Sequence, residues 1–197
     1  IQLLSRVQNQ INEIIAQRRS IYPKEFTGEK IEQTVLETLL RNANFAPNHK
    51  SNYPWRFVVI AEASLENWVN KAADIYQTET AVESFNQAKF DKVKHYAQQV
   101  SHAIAIVMER EPDSKSIERE DLCAVAAAVQ NMYLSLSQFE HVGGYWSTGM
   151  GTYSKAMFDF LKLNENQTLL GFFILGVVEH KRTEGNKKDF NTFVSYL

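Results

Sequence analysis

The sequence predicts a single α+β domain. Three observations carry that prediction. Most of the 197 residues fall into stretches of helical apolar spacing. Three short β-type apolar runs, residues 57–60, 103–108 and 168–178, are scattered between them. No internal repeat, low-complexity segment or linker divides residues 1–197.

In chain order, Leu4, Val7, Ile11, Ile14 and Ile15 place a first helix up to about Ala16. Thr27 reads as an N-cap, with Glu29 in the first turn, and Ile31, Val35, Leu36, Leu39 and Leu40 give a second helix. That helix should stop before Pro47, in the polar stretch 42–52. The first strand, 57–60, precedes helices over 65–76 and 82–100, the latter rich in Lys and Gln like a solvated surface element. After the second strand, Ser114 or Ser116 can cap a long helix reaching about His141. Its stretch 122–129 is apolar on every side. It should therefore be covered all round, either deep in one domain or, the reading favoured in a chain this small, against a second subunit. Residues 142–151 read as a glycine-rich loop, followed by a short helix over 154–161 and the third strand. The apolar end, Phe190, Phe193, Val194 and Tyr196, follows a charged segment and should dock somewhere.

Composition removes several classes of function. Hydrophobic residues make up 44% and charged residues 22%, close to globular averages. A chain of this length buries about 70% of its unfolded surface and needs no staple to fold. The net charge of -2 supplies no general pull toward nucleic acid or an anionic membrane. Cys123 is the single cysteine, which excludes an intramolecular disulfide and a Cys-rich zinc site. No apolar run is long enough to span a membrane. The opening stretch is amphipathic rather than an export signal, so the cytoplasm is the expected compartment, and the sequon at Asn166 reads as chance. P-loop, nucleophile-elbow and zinc-protease motifs are absent, and the Gly149–Gly151 pair ends in Ser154 where a dinucleotide fingerprint wants glycine. The histidines are scattered.

Three clusters remain as candidates. Arg18, Arg19 and Ser20 place two guanidinium groups and a hydroxyl together, a set that suits a phosphate; equally, basic residues at a helix end oppose its macrodipole. Residues 46–57, with Pro47, Asn48, His49, Lys50, Ser51, Asn52 and Arg56, form a donor-rich loop ahead of a strand. That fits a ligand site, or an ordinary connection in which Trp55 plugs the core. Gly143, Gly144, Tyr145, Trp146, Ser147, Thr148 and Gly149 would let a flat ligand approach the backbone, or would make a turn packed by two aromatics.

The order and spacing of these clusters, with Gly171, Gly176 and the closing Asp189 to Val194 segment, resemble the nitroreductase family of FMN-dependent oxidoreductases over nearly the whole chain. The resemblance implies a mainly antiparallel central sheet flanked by helices, in an intertwined homodimer. FMN would sit in a site shared by both subunits, and residues 183–197 would form an arm reaching the partner. It implies that Arg18 and Ser20 hold the FMN phosphate and that Arg19 lies against the ribityl chain or flavin. Lys181 or Arg182 would close the phosphate site. Pro47, Asn48, His49 and Ser51 would reach the flavin bound mainly by the other subunit. Trp146, Ser147 and Thr148 would line the ring, with the Thr148 or Gly149 amide near flavin N5. No side chain need act as general acid or base. NADH or NADPH and an electron-poor acceptor, such as a nitroaromatic or quinone, would use one open face in turn, giving ping-pong kinetics. Tyr22 stands where many members carry Arg or Lys, and Phe45 where some short relatives carry Arg. The alternatives are an FMN enzyme of another reaction, such as dehydrogenation or reductive removal of a substituent, a flavin-binding protein without turnover, and a dimer with no cofactor.

Overall fold

The computed structural model describes residues 2–181 and 185–197, with side chains described from Gln10 onward. One four-stranded antiparallel sheet has the order β1–β2–β4–β3. Its strands are β1 (Trp55–Ile60), β2 (His102–Glu109), β3 (Val142–Ser147) and β4 (Gln167–Val177). The α+β expectation, with a mainly antiparallel sheet between helices, holds. Helices α1 (Gln2–Gln17), α2 (Gln33–Ala43), α3 (Ala63–Glu79), α4 (Gln87–Gln99), α5 (Glu118–Ser135) and α6 (Lys155–Phe160) surround it.

Both sheet faces are buried, so β2 reads as a continuous apolar run rather than an alternating one. Ala103, Ala105 and Val107 join Leu65, Trp68, Val69 and Met157 from the α3 and α6 side. Ile104, Ile106 and Met108 join Leu36, Leu39, Val125, Val129 and Met132 from the α2 and α5 side. Trp55 is buried in that second cluster, and its indole N–H donates to Asn44 Oδ1 at 3.2 Å.

Several expected elements change. Residues 142–147 are strand β3 and not loop, because the glycines answer crowding rather than a turn. A Cβ on Gly143 would lie 2.9 Å from Ile21, and one on Gly144 would lie 2.8 Å from Leu175. The second helix begins at Gln33, not after Thr27, because the sheet rim recruits that segment: Thr27 N–H donates to Val177 O and Ile31 N–H to Ser101 Oγ. The 82–100 helix is broken at Phe85, and Asn86 caps α4 by accepting from the Lys89 amide. α5 starts at Glu118 and ends at Ser135, well before His141, and Ser116 donates to Asp121 instead of capping it. Nor is α5 covered all round by its own chain. Ala124, Val125, Ala128 and Val129 are buried, but Leu122 and Cys123 are exposed.

Between Ile106 and Val107 the β2–β4 register shifts, leaving Leu170 as an extra residue before Gly171. Gly171 has φ 129°, and a Cβ there would collide with the Ser147 carbonyl oxygen. Gly171→Ala should therefore lose about 2 kcal/mol or more of folding stability in denaturant titrations, since backbone strain and a backbone clash add.

Candidate functional site

The chain leaving α1 folds back along the outer rim of β3. Ile21 N–H donates to Gly144 O at 3.1 Å, which lays Arg18, Arg19 and Ser20 beside the start of that strand. A cavity of about 460 Å3 opens there, within the usual size of cofactor pockets. Arg18, Arg19 and Lys181 line it, together with Ile14, Tyr133, Gly143 and Gly144. Glu140 and Glu179 also line it. Among the described residues no carboxylate is ion-paired with the Arg18 guanidinium. That group stacks on Tyr133, its central carbon 4.9 Å from the ring centroid. Arg19 turns one nitrogen onto Ala16 O at 2.7 Å and Arg18 O at 2.9 Å.

Lys181 Nζ donates to Leu136 O at 2.5 Å and to Phe139 O, so the ammonium caps the carbonyls that follow α5. Burial lowers its pKa to about 8, while Glu140 opposes the shift. Arg182 lies outside the described residues.

Tyr133 joins this end of the site to β3. Its hydroxyl accepts from the Trp146 amide at 2.6 Å and lies 3.4 Å from Ser20 Oγ. The Trp146 indole N–H donates to the bulged Leu170 carbonyl at 3.0 Å, and its ring packs on the α5 side of the sheet. Ser147 ends the strand, and its Oγ accepts from the Gly149 amide at 3.2 Å, while Thr148 and Gly149 are exposed. Tyr145 packs edge-on against Tyr22, ring centroids 5.0 Å apart.

The other predicted cluster sits elsewhere. Pro47, His49 and Ser51 are exposed, Asn48 accepts from the Tyr53 amide at 3.2 Å, and none of the four lines the cavity. Lys50, Ser51 and Tyr53 all take positive φ, an uncommon concentration for residues with a Cβ. Asn52 anchors this loop to Asp121, donating to Oδ1 at 2.5 Å. Asp121 also receives Arg110 Nε at 2.6 Å and the Ser116 hydroxyl at 2.8 Å. Burial pushes the Asp121 carboxyl up, but these bonds outweigh it and hold the group below the usual range. Asp121 and Tyr133 lie on one helix, so at 1.5 Å per residue the two anchors stand about 18 Å apart. Asn52, at the far end of the loop, is therefore held at the opposite end of α5 from Tyr133 and the cationic cavity.

Sequence reasoning missed both anchors. Tyr133 is the one aromatic residue in α5, and Asp121 is the last of three acids in its first turn, the one that borders the apolar stretch and is buried. Those anomalies were the available signal. Among the described residues no helix is long and apolar enough to cross a membrane, and no His, Cys, Asp and Glu group could hold a metal ion.

The sequence pattern of the Nitroreductase family matches residues 15–177. The chain belongs to the nitroreductase family. It is 29% identical over 172 residues to "Putative NAD(P)H nitroreductase YdjA" of Escherichia coli (strain K12), covering 87% of this chain and 88% of that protein. Among solved structures, a nitroreductase-like family protein from Bacillus cereus superposes with TM-score 0.77 at 21% identity, over 95% of each chain. The FMN-dependent nitroreductase NfnB from Mycobacterium smegmatis, solved with NADPH, gives TM-score 0.75 at 11% identity, over 97% of this chain and 99% of that one.

Lys181 offers a pH test. With its folded pKa near 8 and an unfolded amine near 10.5, the unfolded chain binds more protons between those values. Its contribution therefore makes stability rise with pH across that window. From pH 8 to 10 the thermal midpoint of the parent should rise relative to that of Lys181→Met.

Proposed function

We propose that this chain is an FMN-dependent oxidoreductase of the nitroreductase type, carrying hydride from NADH or NADPH to a nitroaromatic, a quinone or a similar electron-poor acceptor. One observation carries the reading: Arg18, free of carboxylate partners among the described residues, shares a cavity with Arg19, Lys181 and two glycines of an edge strand. That donor set fits a phosphate tail, and the exposed end of β3 leaves space for a flat head group. When bound, FMN supplies the redox chemistry.

The chain's own residues then bind and orient. Arg18, Ser20 and Lys181 take the phosphate. Arg19 takes the ribityl end, and Arg182 follows Lys181 in sequence. Trp146, Ser147 and Thr148 border the ring, with the Thr148 or Gly149 amide as donor at its central edge. The second copy brings Pro47, Asn48, His49 and Ser51, none of which lines the cavity of its own chain. The working unit is accordingly a homodimer. Its uncovered apolar side chains include Ile11, Ile15, Ile117 and Leu122, and in the arm Phe190, Phe193 and Tyr196.

Purified protein loaded with FMN should stay yellow through desalting, bleach anaerobically with NADH or NADPH, and recover colour with a quinone or nitroaromatic. Colour that neither donor bleaches sinks the oxidoreductase reading. Arg18→Ala should weaken FMN binding about ten- to a hundredfold while leaving riboflavin binding near the parent value. Sedimentation should show a dimer, and a monomer that retains FMN would contradict the shared site.

A further inference from the structure

We infer that Tyr133 is a positioning residue that couples the two ends of the cofactor site, an inference that rests on the FMN reading above. Tyr133 lines the cavity, and its ring and its hydroxyl meet different neighbours there and beside it. The ring face carries the Arg18 guanidinium at 4.9 Å. The opposite constraint on that ring comes from the core: Phe173, fully buried in β4, meets it at 90° with centroids 4.8 Å apart. The guanidinium therefore rests on a platform whose own orientation is fixed by packing. The hydroxyl accepts the Trp146 amide at 2.6 Å and stands 3.4 Å from Ser20 Oγ. One side chain thus touches Arg18 and Ser20, at the end that suits a phosphate, and the strand residue that leads into Ser147 and Gly149.

The consequence is a division of labour between two parts of one residue. Without the hydroxyl, the Trp146 amide loses its acceptor, and the outer edge of β3 loses a contact that its pairing with β4 does not replace. Without the aromatic face, Arg18 keeps its charge but loses the surface that aims it into the cavity. Tyr133 moves no proton and exchanges no electron.

Equilibrium titration of the apoprotein dimer with FMN and with riboflavin separates these roles. Tyr133→Phe removes only the hydroxyl. It should weaken both flavins by a similar factor, about three- to tenfold. Tyr133→Leu removes the ring as well. Relative to the Phe variant it should weaken FMN about a further two- to fivefold and leave riboflavin unchanged, because riboflavin has no phosphate for Arg18 to meet. Thermal midpoints are recorded alongside. A Phe variant that binds both flavins like the parent overturns the inference and leaves the FMN reading standing. So does a Leu variant that loses riboflavin as heavily as FMN, the pattern of simple misfolding. A parent protein that binds neither flavin overturns both.

Discussion

The site depends on the way the chain leaves α1 and is stitched to the rim of β3. The bond from the Ile21 amide to the Gly144 carbonyl places a cationic segment against an edge strand. Gly143 makes that approach possible, because a Cβ there would lie 2.9 Å from Ile21, while Gly144 is crowded by Leu175 of the neighbouring strand. The same contact closes part of the sheet's open edge, which would otherwise present unpaired backbone groups. One stretch of backbone both covers the sheet edge and lines the cavity.

Helix α5 sets the distances. Its inner face is fixed by the sheet and by α2, so whatever is tied to its ends inherits that rigidity. At one end a buried carboxylate gathers Asn52, Arg110 and Ser116, which holds a loop whose backbone would not settle into that shape unaided. Near the other end an aromatic ring supports a guanidinium. The separation between them is a property of helix geometry rather than of side-chain choice.

The legible parts of the sequence were those where one physical cause leaves one pattern. Helical spacing from Leu4 to Ile15 and from Val35 to Leu40 marks an amphipathic face, and those helices are present. Arg18, Arg19 and Ser20 stood out as a cluster but left two readings open, a phosphate site or cations opposing a helix dipole, and the structure places Arg18 and Arg19 at a cavity just past the end of α1. Residues 142–147 were misread because glycine marks both a turn and a tight approach, and only the neighbours Ile21 and Leu175 distinguish the two. Thr27 looked like a cap because its hydroxyl does accept from the Glu29 amide, but the sheet had a stronger claim on the backbone that follows. Tyr133 did not stand out, since nothing local records what lies across from a helix face. The loop at Pro47 to Ser51 was visible as polar and irregular, while its anchorage through Asn52 to Asp121 spans 69 positions and leaves no local trace.

The extra residue in β4 has an effect on side-chain parity. Leu169 packs with Phe172 and Ile174 in one layer, and Phe173 with Leu175 in the other. Odd and even positions therefore trade layers once, at the bulge. Shortening the strand by one residue there leaves two outcomes. Either Leu169 swings into the opposite layer, or it keeps its place and the indole of Trp146 forfeits its carbonyl. Length at this point is as tightly specified as residue identity.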